Sequence, residues 1–315
     1  MVNIQRIVCP TDLSLESDEA LRYAVALTRA YDANLLVLHC KKTKSENSQS
    51  ASRHLSVDMA CAFEQALNRH LGLAELCNLK WKALAIDNVR DIGQAIAHQA
   101  AKHKADLIVM RSRRRPRAAV LLGSTAETVS RTAPCPVLVT HPGEREWVGL
   151  STGEIDLHRV LVAHDFSPDS ELALNYGLSL AQEYQAEVHL LHVLTKAEKE
   201  EPELAWIQKT ESAYTNAAIK LQRAIPNEAF LWCQILSEVR WGKAYEEVLA
   251  YAKEHEIDLV CLGASGSDFS LGTLFGSNVD RILRQAPCPV LIARPIKQSD
   301  PAALMLLEQQ AANQL

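Results

Sequence analysis

The sequence predicts two consecutive α/β domains, each a doubly wound, Rossmann-like parallel sheet with helices on both faces. The chain has 315 residues, a length that suits two domains of ordinary size. It also contains an internal repeat: RIVCPTDLS at 6–14 matches RVLVAHDFS at 159–167, and APCPVLVT at 133–140 matches APCPVLIA at 286–293. Both matches are offset by 153 residues (6 to 159 and 133 to 286), which indicates a tandem duplication.

Within each copy, short β-branched runs alternate with longer segments of helical period. The first copy has predicted strands at 5–9, 35–40, 80–86, 106–110 and 136–140. Between the first two, the segment DEALRYAVALTRAY at 18–31 places Leu21, Ala24 and Tyr31, with Leu27 or Thr28, on one helical face. In the second copy, Ser167 is the predicted N-cap and Pro168 the first helical residue. Nearly continuous apolar strands separated by helices predict a parallel sheet covered on both faces.

These elements divide the chain into residues 1–142 for the first domain, a polar linker at 143–156, residues 157–296 for the second domain, and a tail at 297–315. The tail starts with a capping Asp300 and Pro301 and continues with a helical apolar stripe, formed by Leu304, Leu307, Ala311 and Leu315. Such a stripe would dock on the chain itself or on a second subunit. A frayed end is the alternative.

Composition excludes several classes of protein. The net charge of −5 is too small to indicate general nucleic-acid or membrane-surface binding. No apolar run approaches the ~20 residues that cross a bilayer, and the N-terminus has no signal-peptide pattern, so we expect a cytoplasmic protein.

The eight cysteines have neither CxxC nor zinc-finger spacing. We expect buried thiols at Cys9, Cys40, Cys233 and Cys261; the cytoplasm disfavours a Cys135–Cys288 disulfide, which nothing else excludes.

The loop after the fourth strand of the second copy has a pattern suited to phosphate binding. LGASGSDFSLGTLFGSNV at 262–279 places Gly263, Gly266 and Gly276-Ser277 in the order G-x2-G-x9-G-S. Glycines allow backbone N–H groups to approach phosphate oxygens, and the first turn of a helix attracts anions. Ligands of such sheets bind beyond the carboxyl ends of the strands, where the winding reverses. Asp165, at the end of the first strand of this copy, is expected beside that loop.

These motifs, with LHV on the second strand and APCPVLIA on the last, resemble the universal stress protein family over residues 1–295. The resemblance implies a five-stranded parallel sheet per domain, of the adenine nucleotide alpha hydrolase-like class. It also implies a ligand, ATP or another adenine nucleotide, with or without Mg²⁺. Adenine and ribose would lie beside Ala163, His164, Asp165 and the backbone of Val193. The phosphates would lie among Leu262, Gly263, Gly266, Gly276, Ser277 and Asn278.

Two further expectations accompany the resemblance. In this family the last strands of two domains commonly pair, so the tandem chain would resemble a fused dimer, with a homodimer of the whole chain left open. Ser267 and Asp268 stand where members often carry a basic residue, which predicts modest affinity or a shorter nucleotide. The alternative interpretation treats Asp165 as a helix cap and the glycines as turn formers.

The first copy replaces the glycines by arginines. Arg111 and Arg114 align with Gly263 and Gly266, in a loop one residue shorter, although Asp12 and Gly123-Ser124 are retained. We therefore expect a degenerate first domain that does not bind nucleotide in the ordinary pose. The arginine cluster, comprising Arg111, Arg113, Arg114, Arg115 and Arg117, is either a solvated loop or an anion site. Nucleic acid is a poor candidate for the anion because no aromatic residues interleave with the charges.

No enzymatic motif stands out in the sequence. There is no GK[ST] of a P-loop, no GxSxG elbow and no HExxH, so we predict no catalytic residue and no metal ligand, with slow ATP hydrolysis at most. His39 and His192 occupy matching positions and are expected to be core histidines with one satisfied nitrogen. The predicted function is a stress-response regulator or sensor that binds nucleotide in its second domain. An interaction scaffold and an anion binder acting through the arginine cluster are the alternatives.

Overall fold

The computed structural model describes residues 3–42, 57–70, 78–112, 124–141, 145–149, 153–195, 203–264 and 277–295. In the first half the strands are β1 (Arg6–Pro10), β2 (Asn34–Lys42), β3 (Trp81–Val89), β4 (Leu107–Arg111) and β5 (Val137–Thr140). The helices of that half are α1 (Asp18–Ala30), α2 (Val57–Asn68), α3 (Ile92–Lys102) and α4 (Ser124–Thr132). The five predicted strands are confirmed with shifts of a few residues at their ends.

The second half repeats the same order of elements. Its strands are β6 (Arg159–Ala163), β7 (Glu187–Leu194), β8 (Ile235–Trp241), β9 (Leu259–Gly263) and β10 (Val290–Ala293). Its helices are α5 (Pro168–Tyr184), α6 (Glu203–Ala224), α7 (Ala244–Glu254) and α8 (Ser277–Gln285), with a 3₁₀ turn at Asn227–Leu231. As predicted, each half is an α/β unit whose strands are connected by helices.

All ten strands form one continuous sheet in the order β3-β2-β1-β4-β5-β10-β9-β6-β7-β8. Pairing is parallel within each half. The halves join through the antiparallel pair β5–β10, in which Leu138 lies opposite Leu291. The two last strands therefore pair within one chain, as the resemblance implied.

Two apolar layers cover the sheet, one on each face. Side chains from α1, α2, α5 and α6 pack on one face, and side chains from α3, α4, α7 and α8 pack on the other. Each layer includes strand residues of both halves, so burial of apolar surface, worth roughly 25 cal/mol per Å², holds the two repeats together as well as stabilising each one.

The two copies begin their first helix differently. The N-cap predicted for α5 is confirmed, because the Ser167 side chain accepts the Ser170 N–H at 3.2 Å and Pro168 stands in the first turn. By the repeat offset, Leu15 of the first copy corresponds to Pro168, yet α1 begins only at Asp18. The equivalent helix is therefore three residues shorter at its start in the first half.

The described part of the linker packs on both halves rather than running free. Arg145 forms an ion pair of 3.1 Å with Glu256 of the second half, and the contacts with the first half come from the next two residues. Trp147 is buried, with its ring edge-on to Tyr23 at a centroid separation of 4.7 Å, and its backbone N–H donates to the Tyr23 hydroxyl at 3.1 Å. Glu146 forms an ion pair of 2.8 Å with Arg22 of α1. The sequence predicted a polar connection and gave no sign of this docking.

Every cysteine among the described residues is free, including the buried Cys135 and Cys288, and burial raises the pKa of the Cys135 thiol to about 12. Cys9, Cys233 and Cys261 are buried as expected, whereas Cys40 is half-buried.

Within the described ranges, no helix is both long and apolar enough to cross a bilayer. The predicted helix at 297–315 lies outside the described residues.

Candidate functional site

The predicted crevice lies where the winding of the second half reverses. Strands β6 and β9 are neighbours, with Val162 opposite Cys261; the sheet continues from β6 through β7 to β8 on one side and from β9 to β10 on the other. Ala163 and Gly263 are the last residues of these two strands. This is the position where open α/β sheets bind ligands, and β1 and β4 create its equivalent in the first half.

Asp165 shapes the turn that leaves β6. Its carboxylate accepts the Ser167 N–H at 3.1 Å, and the intervening Phe166 has a φ of +64°. In the first copy, the Asp12 carboxylate accepts the Ser14 N–H at 3.1 Å, and Leu13 has a φ of +63°. A bulky residue with a left-handed backbone is uncommon, so its presence in both copies shows that the aspartate turn is a shared structural element.

His164 is a buried histidine with one satisfied ring nitrogen. Its Nδ1 accepts the Phe166 N–H at 3.2 Å, so in the neutral ring the proton belongs on Nε2. Burial lowers the pKa of this imidazole, and the charge of Asp165 opposes that shift. The ring is 3% exposed, and in the described part of the chain its Nε2 has no hydrogen-bond partner. A buried N–H donor without a partner is costly, which favours a ligand or water at this point.

The backbone of Val193 lies at the level of Asp165. The last paired residues of β6 and β7 are Ala163 and Leu191, so the register would place Asp165 opposite Val193. After Ala163, however, the chain leaves β6 in the Asp165 turn, so Val193 is not paired with β6. In the strand register Val193 is paired with Arg240 of β8. The side of Val193 that faces β6 therefore borders the crevice.

The two matching histidines brace this turn in both copies. His192 Nδ1 lies 2.7 Å from the carbonyl oxygen of His164, and His39 Nδ1 lies 3.0 Å from that of Thr11. The prediction that each has one satisfied nitrogen is confirmed, whereas the expectation that both lie in the core is wrong, because both side chains are half-buried. Their role is to fix the backbone at the ends of β6 and β1.

Gly263 serves the packing of the protein itself. A Cβ at this position would lie 2.7 Å from the backbone carbon of Asp169 and 2.8 Å from the backbone nitrogen of Ser170, both in the first turn of α5. No side chain fits there without a shift of the helix. Its neighbour Leu262 is buried with a 3% exposed side chain, so only the backbone of this pair can reach a ligand.

Ser277 and Asn278 are the first residues of α8, and both are exposed. The opposite side of α8 is anchored in the core by Ile282 and Leu283. The first N–H groups of a helix lack intrahelical partners and attract anions, as the prediction requires. Gly266, Gly276, Ser267 and Asp268 lie outside the described residues.

Arg111 is held by its own domain. Its guanidinium forms an ion pair with the Glu19 carboxylate and donates to the carbonyl oxygen of Glu16. The side chain is only 12% exposed. The other predicted anion ligands lie outside the described residues: Arg113, Arg114, Arg115 and Arg117. Arg111 is therefore the one member of the arginine cluster that the structure describes, and its charge is neutralised by Glu19.

Sequence reasoning missed Ser170 as a part of this site. Its hydroxyl donates to the Ser167 carbonyl at 2.9 Å and accepts the Asp165 N–H at 3.3 Å. The available signal was a serine three residues after the N-cap, where a side chain returns to the capping residue. Across the described ranges, no group of three or more His, Cys, Asp or Glu side chains could hold a metal ion.

Two universal stress proteins are similar to this chain in sequence. A universal stress protein of Mycolicibacterium smegmatis is 25% identical over 295 residues, covering 92% of this chain and 97% of that protein. The universal stress protein YxiE of Bacillus subtilis is 29% identical over 146 residues, covering 44% of this chain and 99% of that protein.

Two solved structures match the full length of the fold. A functionally unknown protein, PA1789 of Pseudomonas aeruginosa, has a TM-score of 0.66 at 16% identity and covers 98% of each chain. A universal stress protein from Archaeoglobus fulgidus has a TM-score of 0.60 at 20% identity, over 93% of this chain and 98% of that one.

The model of the universal stress protein family matches twice, at residues 3–141 and 157–294. Each match spans one copy of the repeat and one half of the ten-stranded sheet. The chain therefore belongs to the universal stress protein family, as a tandem member with two family domains in one polypeptide.

Proposed function

We propose that the second domain binds an adenine nucleotide, ATP first among the candidates, and that the protein is a cytoplasmic stress-response regulator controlled by that binding. The proposal is supported chiefly by the switch point of the second half, where Ala163 and Gly263 end neighbouring strands and Asp165 follows the first of them. Next to Asp165 in the chain, the buried Nε2 of His164 has no hydrogen-bond partner among the described residues, and the strand register sets the peptide of Val193 at the level of Asp165. These are groups of the kind that recognise a base and a ribose by hydrogen bonds.

Each part of a nucleotide has a counterpart among the chain's own residues. The peptide group of Val193 offers one donor and one acceptor, which suits the edge of adenine. The Asp165 carboxylate is an acceptor suited to ribose hydroxyls, as in other doubly wound folds. Phosphates would lie toward Ser277 and Asn278 at the start of α8, where the helix dipole favours negative charge by about 0.3–1 kcal/mol. Mg²⁺ would be held mainly by the phosphates and water.

In this proposal the nucleotide acts by being bound rather than by being consumed. The residues assigned here bind and orient; none of them is placed as a nucleophile or general base. Helix α8 leads directly into β10, the strand that pairs with β5 of the other domain. A phosphate held at the start of α8 would therefore bias the position of an element connected to the joint between the domains.

The test is nucleotide binding measured with a matched pair of variants. The protein is denatured, released nucleotide is identified by chromatography, and the nucleotide-free protein is then titrated with Mg-ATP while thermal unfolding is followed. A ligand at 100 times its Kd stabilises by about 2.7 kcal/mol. We expect Asp165→Asn to weaken binding roughly tenfold or more, because a hydrogen bond to a charged acceptor is worth about 1.5–3 kcal/mol.

The control is Asp12→Asn in the first domain. Asparagine retains an oxygen that can accept the Ser14 N–H, and likewise the Ser167 N–H in the second domain, so both variants preserve the turn. The proposal predicts unchanged affinity in the first-domain variant. If neither ATP nor ADP binds, the scaffold alternative gains; if both variants lose affinity equally, the assignment to the second domain is wrong.

A further inference from the structure

A cavity of about 430 Å³ opens at the amino-terminal edge of the first domain's sheet. It is bordered by the first residues of β1, β2 and β3 and by His103, which follows α3. This edge is opposite the carboxyl ends where the nucleotide crevice lies. Cavities of roughly 300–1,000 Å³ are the usual size for small-ligand sites.

The cavity has an apolar floor and a cationic rim. Val8 and Leu36, which pair with each other and with Lys82 on the same face of the sheet, contribute the floor. Three cationic side chains, Arg6, Lys80 and Lys82, line the rim together with Asn34 and His103.

The rim charges are only partly neutralised. Arg6 lies 3.7 Å from Asp106, and Lys80 forms an ion pair with Asp32. Lys82 has no ion-pair partner among the described residues, and its charge helps to lower the pKa of His103, after burial and Lys102. The rim is therefore net positive.

In the second domain, aromatic side chains occupy the corresponding space. The strand register aligns His189 with Leu36, and the ring of His189 lies 2.9 Å through Nδ1 from the Tyr251 hydroxyl. His255, which follows α7 as His103 follows α3, stacks on Tyr251 at 4.1 Å. In the first domain, the smaller Leu36 and Gln99 stand at the positions of His189 and Tyr251, and this difference in volume leaves the cavity.

The charge also differs between the two domains. The register aligns Lys80 with Gln234 and Lys82 with Leu236. Both lysines are therefore features of the first domain alone. The family fold does not require them, since the second domain adopts the same fold without either one.

We propose that this cavity binds a small amphipathic anion, a molecule with one carboxylate or phosphate group and an aliphatic or aromatic body. The body would lie on Val8 and Leu36, where binding would remove its apolar surface from water. The head group would lie beside Lys82 and Arg6, where charge-assisted hydrogen bonds are available. The first domain would thereby sense a different class of ligand from the second.

The experiment is calorimetric titration of the full chain with four eight-carbon probes: octanoate, octyl phosphate, octan-1-ol and octylammonium. We expect the two anions to bind with one site per chain and at least tenfold more tightly than the alcohol or the cation. The tighter of the two anions identifies the head group. Binding of the alcohol as tightly as the anions would overturn the proposal, as would no binding of either anion.

Two variants locate the site. Lys82→Glu should weaken the anions at least tenfold, whereas Lys253→Glu, an equal charge change at an exposed site at the end of α7, should have no effect. The double variant Leu36→His with Gln99→Tyr copies the second domain and should abolish binding. If that variant does not fold, the lysine pair still decides, because equal losses in both lysine variants would contradict the proposed location.

Discussion

The ends of β4 and β9 show how one fold was adapted in two directions. Gly263 ends β9 with no side chain, and the first turn of α5 closes onto it. Arg111 ends β4, and its guanidinium takes the Glu16 carbonyl, at the position that aligns with Asp169. In that copy the helix begins three residues later. In the first copy, a large side chain at this point therefore occurs together with the absence of the first helical turn.

This comparison revises the meaning of the arginine. The sequence predicted that Arg111 blocks the ordinary nucleotide pose, and it left open that the residue helps to bind an anion. In the structure, Arg111 donates a hydrogen bond to Glu16, which precedes α1 and aligns with the first turn of α5. The Glu19 carboxylate neutralises its charge. The difference between the copies thus lies in how strand and helix meet at the crevice. Four changes would break or sharpen this comparison.

The largest effect is expected from Gly263→Ala. The new Cβ would meet backbone atoms of Asp169 and Ser170, so α5 must move, at a cost of about 3 kcal/mol. Hydrogen exchange of the α5 amides should accelerate locally. Gly242→Ala is the control: its Cβ would meet only the flexible end of Glu247, and we expect less than about 0.5 kcal/mol. Comparable losses in both would remove the packing role of Gly263.

Arg111→Met should cost about 2 kcal/mol, because it leaves the half-buried Glu19 carboxylate without its charged partner and the Glu16 carbonyl without its donor. Faster hydrogen exchange at the start of α1 would report the loss. Arg131→Met removes an exposed pair with Glu127 at i,i+4 and should cost only about 0.3–0.5 kcal/mol. A neutral Arg111→Met variant would show that the arginine does not hold the turn.

Tyr23→Phe should reduce the free energy of unfolding by about 1 kcal/mol, because it removes the hydroxyl that accepts the buried backbone N–H of Trp147. Urea unfolding measures this change. The matched variant is Tyr176→Phe, at the equivalent position of the second domain, and we expect a smaller effect there. The opposite ranking would mean that the linker does not stabilise the first domain through this bond.

The smallest effect is a change of pH dependence in His164→Thr. Burial lowers the folded pKa of His164, so the unfolded chain binds the proton more readily. The contribution of His164 to stability is thus present above the unfolded pKa of about 6.5 and is lost as pH falls below it. Threonine is the residue of the first copy, where the Thr11 hydroxyl accepts the Leu13 N–H at 2.9 Å.

Urea unfolding at pH 7.5 and pH 5 measures this prediction. The loss of stability on acidification should be smaller in His164→Thr than in the wild type. His158→Thr, at a largely exposed histidine, should retain the wild-type loss. Identical acid losses in the wild type and His164→Thr would contradict the assignment.

Much of the fold was accessible from the sequence because repeats and apolar periods are local signals. The five strands of the first copy and the Ser167 cap depend on residues near one another in the chain, and the 153-residue offset follows from comparing short motifs that are each contiguous. Contacts between distant segments were not accessible: the docking of Trp147 on Tyr23, the Arg111–Glu19 pair and the contact of Gly263 with Asp169. The glycine pattern predicted that Gly263 lies beside a phosphate. In the structure, the atoms nearest to the position of its missing Cβ belong to the first turn of α5 in the same domain.

The central claim is that a nucleotide enters one crevice of the pair. It is tested most directly by photolabelling the purified protein with an 8-azidoadenine nucleotide, competing with ATP, and mapping the labelled peptides by mass spectrometry. The account predicts a single saturable label in the second domain, on peptides that contain Asp165 or Val193. Label at the equivalent segments of the first domain, around Asp12 or Cys40, would contradict it.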